Sequence, residues 1–169
     1  MTMLAYDPYL SAEEIARRGA RSVSFEDVLA QPDFVSIHCP RTKETQGMLD
    51  ARAYARMKKG AIFITTARGG IHDEAALYDA LTSGHLAAAG LDVWETEPPP
   101  LQHPLLTLDN VIATFHTSSA THETRRDMAA QAAEQIVGLL KGGRPPRLVN
   151  PEVWPAFRAR FEEIMGVTV

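Results

Sequence analysis

The sequence predicts an α/β fold built on a mostly parallel sheet. Two observations lead there. Short apolar runs alternate with helical patterns along most of the 169 residues, and such alternation needs crossover connections between parallel strands. The helical stretches also open on Ser, Thr or Asp and mostly close on Gly, which marks their ends.

The elements follow in order. Residues 3–6 read as a buried strand ended by Asp7-Pro8. Ser11 with Glu14 is a capping-box pattern for a helix that Gly19 stops after Arg18. Ser24 with Asp27 opens a shorter helix to Ala30, and residues 34–37 form the next strand, ended by Cys39-Pro40. Residues 42–47 are polar and turn-rich. Asp50 caps a helix expected to reach Lys59, with Gly60 just past it. Residues 61–64 are a third strand, and residues 73–83 a helix closed by Gly84. Residues 87–93 are a strand of small residues, Pro98-Pro99-Pro100 is loop, and residues 110–114 are the last strand. From Thr121 to Lys141, the row Met128, Ala132, Ile136, Leu140 marks one face of a long amphipathic helix. Gly142-Gly143 ends it, and an extended tail is expected from Arg144.

Composition bounds the function. The 45% hydrophobic and 22% charged fractions are those of a globular chain, not a disordered or fibrous one. Lys plus Arg total 17 against 21 Asp plus Glu, a net charge of −4. That balance, with a pI near 5.8, argues against a nucleic-acid partner. No apolar stretch is long enough to span a bilayer, and residues 1–10 lack a signal-peptide pattern, so no membrane partner is expected. The single cysteine, Cys39, excludes an intrachain disulfide. A reducing compartment such as the cytoplasm is the expectation. The six histidines show no supported ligand spacing, and no metal site is expected.

Ligands of parallel α/β sheets bind outside the C-terminal strand ends. Here these ends carry Asp7, then His38-Cys39-Pro40, then Thr66-Ala67-Arg68-Gly69-Gly70, then Asp92 and His116. Asp7 is able to accept both ribose hydroxyls of an adenosine, or simply to form a turn before Pro8. Arg68 suits a carboxylate through two parallel hydrogen bonds, and the two glycines beside it allow close approach to a ligand. Otherwise it is a surface Arg in a Gly turn. A carboxylate on one nitrogen of His116 would fix its tautomer and raise its pKa, freeing the other nitrogen for proton transfer. Glu97 and Glu95 are both candidates for that carboxylate, and each group alone also reads as a solvated polar residue. Cys39 reads as a packing residue rather than a nucleophile.

These motifs, in this order, resemble one known pattern. The carriers are Tyr6-Asp7; Ser36-Ile37-His38-Cys39-Pro40 with Thr42 and Glu44-Thr45; and Met57-Lys58-Lys59-Gly60-Ala61. They continue with Thr66-Ala67-Arg68-Gly69-Gly70, Asp73-Glu74-Ala75-Ala76-Leu77, Gly90-Leu91-Asp92-Val93-Trp94, Glu97-Pro98, Asn110-Val111-Ile112, and His116 with Thr121. From about Leu4 to Asn150 the chain resembles the nucleotide-binding domain of the D-isomer-specific 2-hydroxyacid dehydrogenases. The resemblance implies a Rossmann-like doubly wound parallel sheet, NAD as cofactor, and a small 2-hydroxy or 2-keto acid as substrate. It implies Arg68 on the substrate carboxylate and carbonyl, His116 as acid/base, and Glu97 orienting His116. It implies Asp7 on the adenosine ribose. His38, Cys39, Pro40, Thr45, Thr66 and Ala67 would line the cofactor, Asp92 would hold the carboxamide, and Ser118 and Ser119 would border the ring. A homodimer is implied at full length.

Thr65 stands where the family often has Asn, and Phe115 where Pro commonly precedes the His. No Gly-x-Gly-x-x-Gly loop occurs anywhere in the 169 residues. The strand and helix around that loop are missing too. That strand would lie centrally, between the strands ending at Asp7 and at His38. The expectation is therefore a partial Rossmann domain over residues 1–143, lacking its first strand and Gly-rich loop. Residues 144–169 would be a tail returning towards an absent substrate domain. The activity expected is hydride transfer between NAD(H) and a 2-hydroxy/2-keto acid. The alternative is a truncated, non-catalytic remnant or interaction module of the same family.

Overall fold

The computed structural model describes residues 1–166. They fall into two compact units, the first Met1–Ser118 and the second starting at Ser119. The boundary expected after residue 143 falls inside the second unit.

The first unit holds two parallel sheets. Strands β1 (Leu4–Ala5) and β2 (Arg21–Ser22) make a small one, linked by helix α1 (Ala12–Arg17). The larger sheet runs β3 (Phe34–Ile37), β4 (Ile62–Thr65), β5 (Ala88–Leu91), β6 (Val111–Ala113), with neighbours in sequence also neighbours in space. Strands β1 and β3 are not paired. Strand β1, expected to be buried, is half-buried, and Met3 and Tyr6 beside it are 48% and 47% exposed.

Local chemistry sets the helix starts. Ser11 and Glu14 close a full capping box on α1. Ser24 caps α2 (Phe25–Ala30), Asp50 caps α3 (Ala51–Arg56), and Asp73 caps α4 (Glu74–Thr82). Each cap oxygen takes up a backbone N–H that the helix leaves unpaired. Helix α3 ends at Arg56, three residues before the expected Lys59. Met57 turns to extended backbone and is buried, while Lys58 reaches back to an ion pair with Asp33. A short 3-10 turn, Pro104–Thr107, precedes β6 and buries Leu105.

One face of the larger sheet packs under α3 and α4. Phe63 of β4 lies at the centre, edge-on to Tyr54 of α3 with ring centroids 5.5 Å apart. Leu77 and Leu81 of α4, Leu86 and Leu91 complete this core. Along β3, Val35 and Ile37 point into it and Phe34 and Ser36 point out, the period-two alternation of a strand with one covered face.

The second unit contains α5 (His122–Leu140), capped by Thr121, and α6 (Trp154–Met165) after a 3-10 turn at Pro151–Val153. No residue of α5 is buried. The tail expected to be extended is thus largely helical as far as it is described. Trp154, Phe157 and Phe161 stack along one face of α6, and Pro155 sits in the first turn, where its missing N–H costs no helical bond. The last part of that tail, 167–169, lies outside the described residues. No described helix is long and apolar enough to cross a membrane.

Candidate active site

Strand register brings the functional loops together. Ile37 pairs with Thr65, Thr65 with Leu91 and Leu91 with Ala113. The four strands of the larger sheet therefore end side by side. The loops after β3, β4 and β5 enclose a cleft of about 710 Å³. From the expected set, His38, Cys39, Pro40, Thr66, Ala67, Arg68 and Glu97 line it. Arg41, Gly69, Trp94 and Glu95 line it as well.

His116 is hydrogen-bonded to the rim of this cleft. Its Nδ1 is 2.8 Å from Oε2 of Glu97. The Glu97 carboxyl is held below the ordinary carboxylate range, first by this bond and then by the Trp94 amide, against the opposing effect of burial. The carboxylate is therefore the acceptor and Nδ1–H the donor. That leaves Nε2 as the nitrogen free for proton exchange. No hydrogen bond or ion pair among the described residues joins Glu95, the other candidate, to the ring, whose carboxylate partner is Glu97.

The backbone around His116 is specially shaped. His116 has φ of 54°, a left-handed conformation that costs a non-glycine residue about 1–2 kcal/mol. Its amide donates to the Asp92 carbonyl at 2.6 Å, and Trp94 Nε1 donates to the Thr114 carbonyl at 2.8 Å. The Asp92 side chain completes the clasp. It accepts from the Thr114 hydroxyl and from the amides of Thr117 at 2.8 Å and Ser118 at 3.0 Å. Asp92 was expected to hold a carboxamide; here its carboxylate holds the loop that carries His116.

Burial works against ionisation of Asp92, yet those hydrogen bonds outweigh it and bring the pKa down to about 2. The ordinary value is 3.8, so the charged form contributes about 2–3 kcal/mol of stability. A depressed carboxyl contributes above its unfolded value and loses that contribution as pH falls through its folded value. The stability gap between the parent chain and Asp92→Asn should thus be full near pH 6. It should shrink as pH falls from about 5 towards 2. Chemical denaturation across that range measures it, and a gap independent of pH would show that folding leaves the Asp92 pKa unshifted.

Other expected residues have different positions. Thr45 is not on the cleft wall; its Oγ1 donates to the Pro40 carbonyl at 2.7 Å and so ties down the loop that does line it. Asp7 follows β1 and its Oδ1 accepts from the Tyr9 amide at 2.8 Å, a turn of the kind its sequence allowed. Ser118 is in the Asp92 clasp, and Ser119 begins the second unit. Thr65 is buried and its Oγ1 accepts from the Ala67 amide at 3.4 Å, so it shapes the Arg68 turn from inside.

Two features escaped the sequence reading. Arg41 adds a second guanidinium to the cleft and donates to the Gly69 carbonyl at 3.2 Å. Its place directly after Pro40 at a strand end was the available signal. Gly69 approaches protein rather than ligand: a Cβ there would lie 1.8 Å from the Trp94 carbonyl oxygen. Gly70, at φ 76°, supplies the turn itself.

Residues 1–118 match the D-isomer specific 2-hydroxyacid dehydrogenase family, NAD binding domain. The chain belongs to this family. It is 45% identical over 157 residues to a D-3-phosphoglycerate dehydrogenase of Archaeoglobus fulgidus, covering 92% of this chain and 30% of that protein. Against a glyoxylate reductase of Korarchaeum cryptofilum it is 44% identical over 153 residues, covering 90% and 46%. Among solved structures it is similar to D-lactate dehydrogenase with NAD+ from Lactobacillus jensenii. There the TM-score is 0.80 and the identity 31%, over 88% of this chain and 48% of that one. The chain thus spans less than half the length of these dehydrogenases.

The cofactor of this family's domain is NAD. The cleft fits it in part. Its volume is that of a small-molecule site, it lies at strand C-terminal ends, and Arg41 and Arg68 offer donors to an anionic ligand. A Gly-x-Gly-x-x-Gly turn for the pyrophosphate is not among the 169 residues.

Proposed function

We propose that this chain carries the acid/base half of an NAD-dependent 2-hydroxyacid dehydrogenase site. The observation that carries this reading is the 2.8 Å bond between His116 Nδ1 and Glu97, with Arg68 in the cleft that Glu97 lines. Arg68 binds the carboxylate of a 2-keto or 2-hydroxy acid and polarises its carbonyl. When bound, the reduced nicotinamide supplies the hydride that reaches the carbonyl carbon. His116 gives the Nε2 proton to the carbonyl oxygen, yielding the 2-hydroxy acid, and takes it back in the reverse direction. Glu97 holds the ring and stabilises its positive charge while Nε2 is protonated.

His38, Cys39, Pro40, Thr66 and Ala67 would border the cofactor directly, with Thr45 supporting them. Asp7 would take the ribose hydroxyls and so favour NAD over its 2′-phosphorylated form. Asp92, Ser118 and Ser119 would flank the nicotinamide. The family resemblance adds a homodimer, and the single cysteine a reducing compartment such as the cytoplasm.

A second reading is a non-catalytic module of the family. The separate sheets and the absent Gly-rich turn favour it. Titrating the purified chain with NADH, read by nucleotide fluorescence, separates the two. Binding at micromolar concentrations supports the enzyme reading, and no binding supports the module. In a polypeptide of the relatives' full length, Arg68→Ala should raise KM for the keto acid about 10- to 100-fold, the loss of a charge-assisted pair. An unchanged KM would remove Arg68 from the substrate.

A further inference from the structure

A second carboxylate–imidazole pair lies behind the first. Glu74 is the first residue of α4, yet it caps nothing there: Asp73 is the N-cap and bonds the Ala76 amide. Both Glu74 oxygens reach across to other segments. Oε1 accepts from the Glu95 backbone amide at 2.8 Å, and Oε2 is 3.0 Å from His103 Nε2. The two side chains are only 12% and 16% exposed. His103 Nδ1 accepts from the Leu105 amide at 3.3 Å. Nε2 must then carry the proton, and it points at Glu74. The His103 ring also packs edge-on against Trp94, with centroids 5.3 Å apart.

These contacts meet the catalytic pair at one short stretch of backbone. The amide of Trp94 donates to Oε1 of Glu97 at 3.1 Å. The amide of the next residue, Glu95, donates to Glu74. The chain between Trp94 and Glu97 is therefore held at adjacent amides by two carboxylates, one facing His116 and one facing His103.

We propose that Glu74, held in place by His103, is a positioning residue that clamps the Glu95 backbone and so keeps the Glu97 carboxylate on His116. The proposal rests on the reading of Glu97 and His116 as the proton-transferring pair. A removable clamp of this kind has a chemical signature. If the Glu95 amide is released, Glu97 loses register with His116 and with the Trp94 amide, and its carboxyl returns towards the ordinary range. Loss of the Glu74 charge alone cannot imitate this, because removing a negative charge favours carboxyl ionisation and does not oppose it. The sign of the shift separates the two effects.

The experiment is a carbon-13 NMR titration of the Glu97 carboxyl in the whole chain, assigned by its loss in Glu97→Gln. In Glu74→Ala the Glu97 titration should move upward. In Glu74→Gln, whose amide oxygen still accepts from Glu95, it should stay low. His103→Leu, which leaves Glu74 present but unheld, should move it upward too, and serves if Glu74→Ala does not fold. An unchanged or lower value in both Glu74→Ala and His103→Leu would overturn the clamp. The control is His116→Leu, in which nothing donates to Glu97 from that position and Glu97 must rise. A Glu97 that stays low there would overturn the catalytic pair itself, and the clamp with it.

Discussion

Replacing Gly69 with alanine is expected to cost the first unit about 3 kcal/mol, the upper range for forcing an atom into packed space. In a domain of this size that is a fall in Tm of about 10 °C. The new Cβ would meet the Trp94 carbonyl oxygen at 1.8 Å, its carbon at 2.2 Å and the Glu95 amide at 2.8 Å. All three are backbone atoms, so no side chain can rotate aside. The turn carrying Arg68 and the segment carrying Glu97 must part instead. The variant should therefore lose function along with stability. Gly138→Ala is the contrast. Nothing lies within 4 Å of its added Cβ, and it sits within α5. An alanine there should leave stability unchanged or raise it by about 0.4–1 kcal/mol. Thermal unfolding of the two variants beside the parent measures this. A Gly69→Ala melt within about 2 °C of the parent would show that the two loops are not in contact.

What could be read from the sequence was local. Ser11, Ser24 and Asp50 cap the helices they were expected to open, and Asp73 and Thr121, where the next helical stretches were expected to begin, are caps as well. A cap is a side chain bonding an amide two or three residues on, so its whole cause lies within one turn. Strands β3 to β6 were visible because each is a short apolar run. Strand β2 was not: Arg21–Ser22 is exposed and exists only through its pairing with Leu4 and Ala5. Helix α6 carried its signal in Trp154, Phe157 and Phe161, but Arg144-Pro145-Pro146 read as the start of an extended tail. Pro155 falls in the one turn of a helix that tolerates it.

The candidate site divides the same way. Arg68, Glu97 and His116 were legible as strand-end residues, because parallel strands bring such ends together whatever the loops do. Chain position alone left both Glu95 and Glu97 open as the partner of His116, and the family resemblance pointed to Glu97. Glu95 and Glu97 are two residues apart in an irregular loop, and each is tied to a group distant in sequence, Glu97 to His116 and the Glu95 amide to Glu74. The work of Asp92 was hidden for a related reason. Its partners Thr114, Thr117 and Ser118 lie just after the next strand, and only the pairing of β5 with β6 brings them to it.

The second large effect concerns His116. In the proposed chemistry it is the one group that moves a proton to or from the substrate oxygen. The ring is presented for that by three separate devices: the Glu97 bond on Nδ1, the left-handed backbone at φ 54°, and the Asp92 clasp behind it. Glutamine in its place has a side-chain amide able to bond Glu97, but no group that titrates near neutrality. Stability should therefore change little while the proton-transfer step is lost. General acid/base groups contribute about 10²- to 10⁴-fold, or about 3–5 kcal/mol of barrier. The decisive measurement is kcat for NADH-dependent reduction of 2-keto acids by a polypeptide of the relatives' full length, with and without His116→Gln. The expected result is a fall of at least about 100-fold with the melting temperature retained. Unchanged turnover in the variant would contradict it.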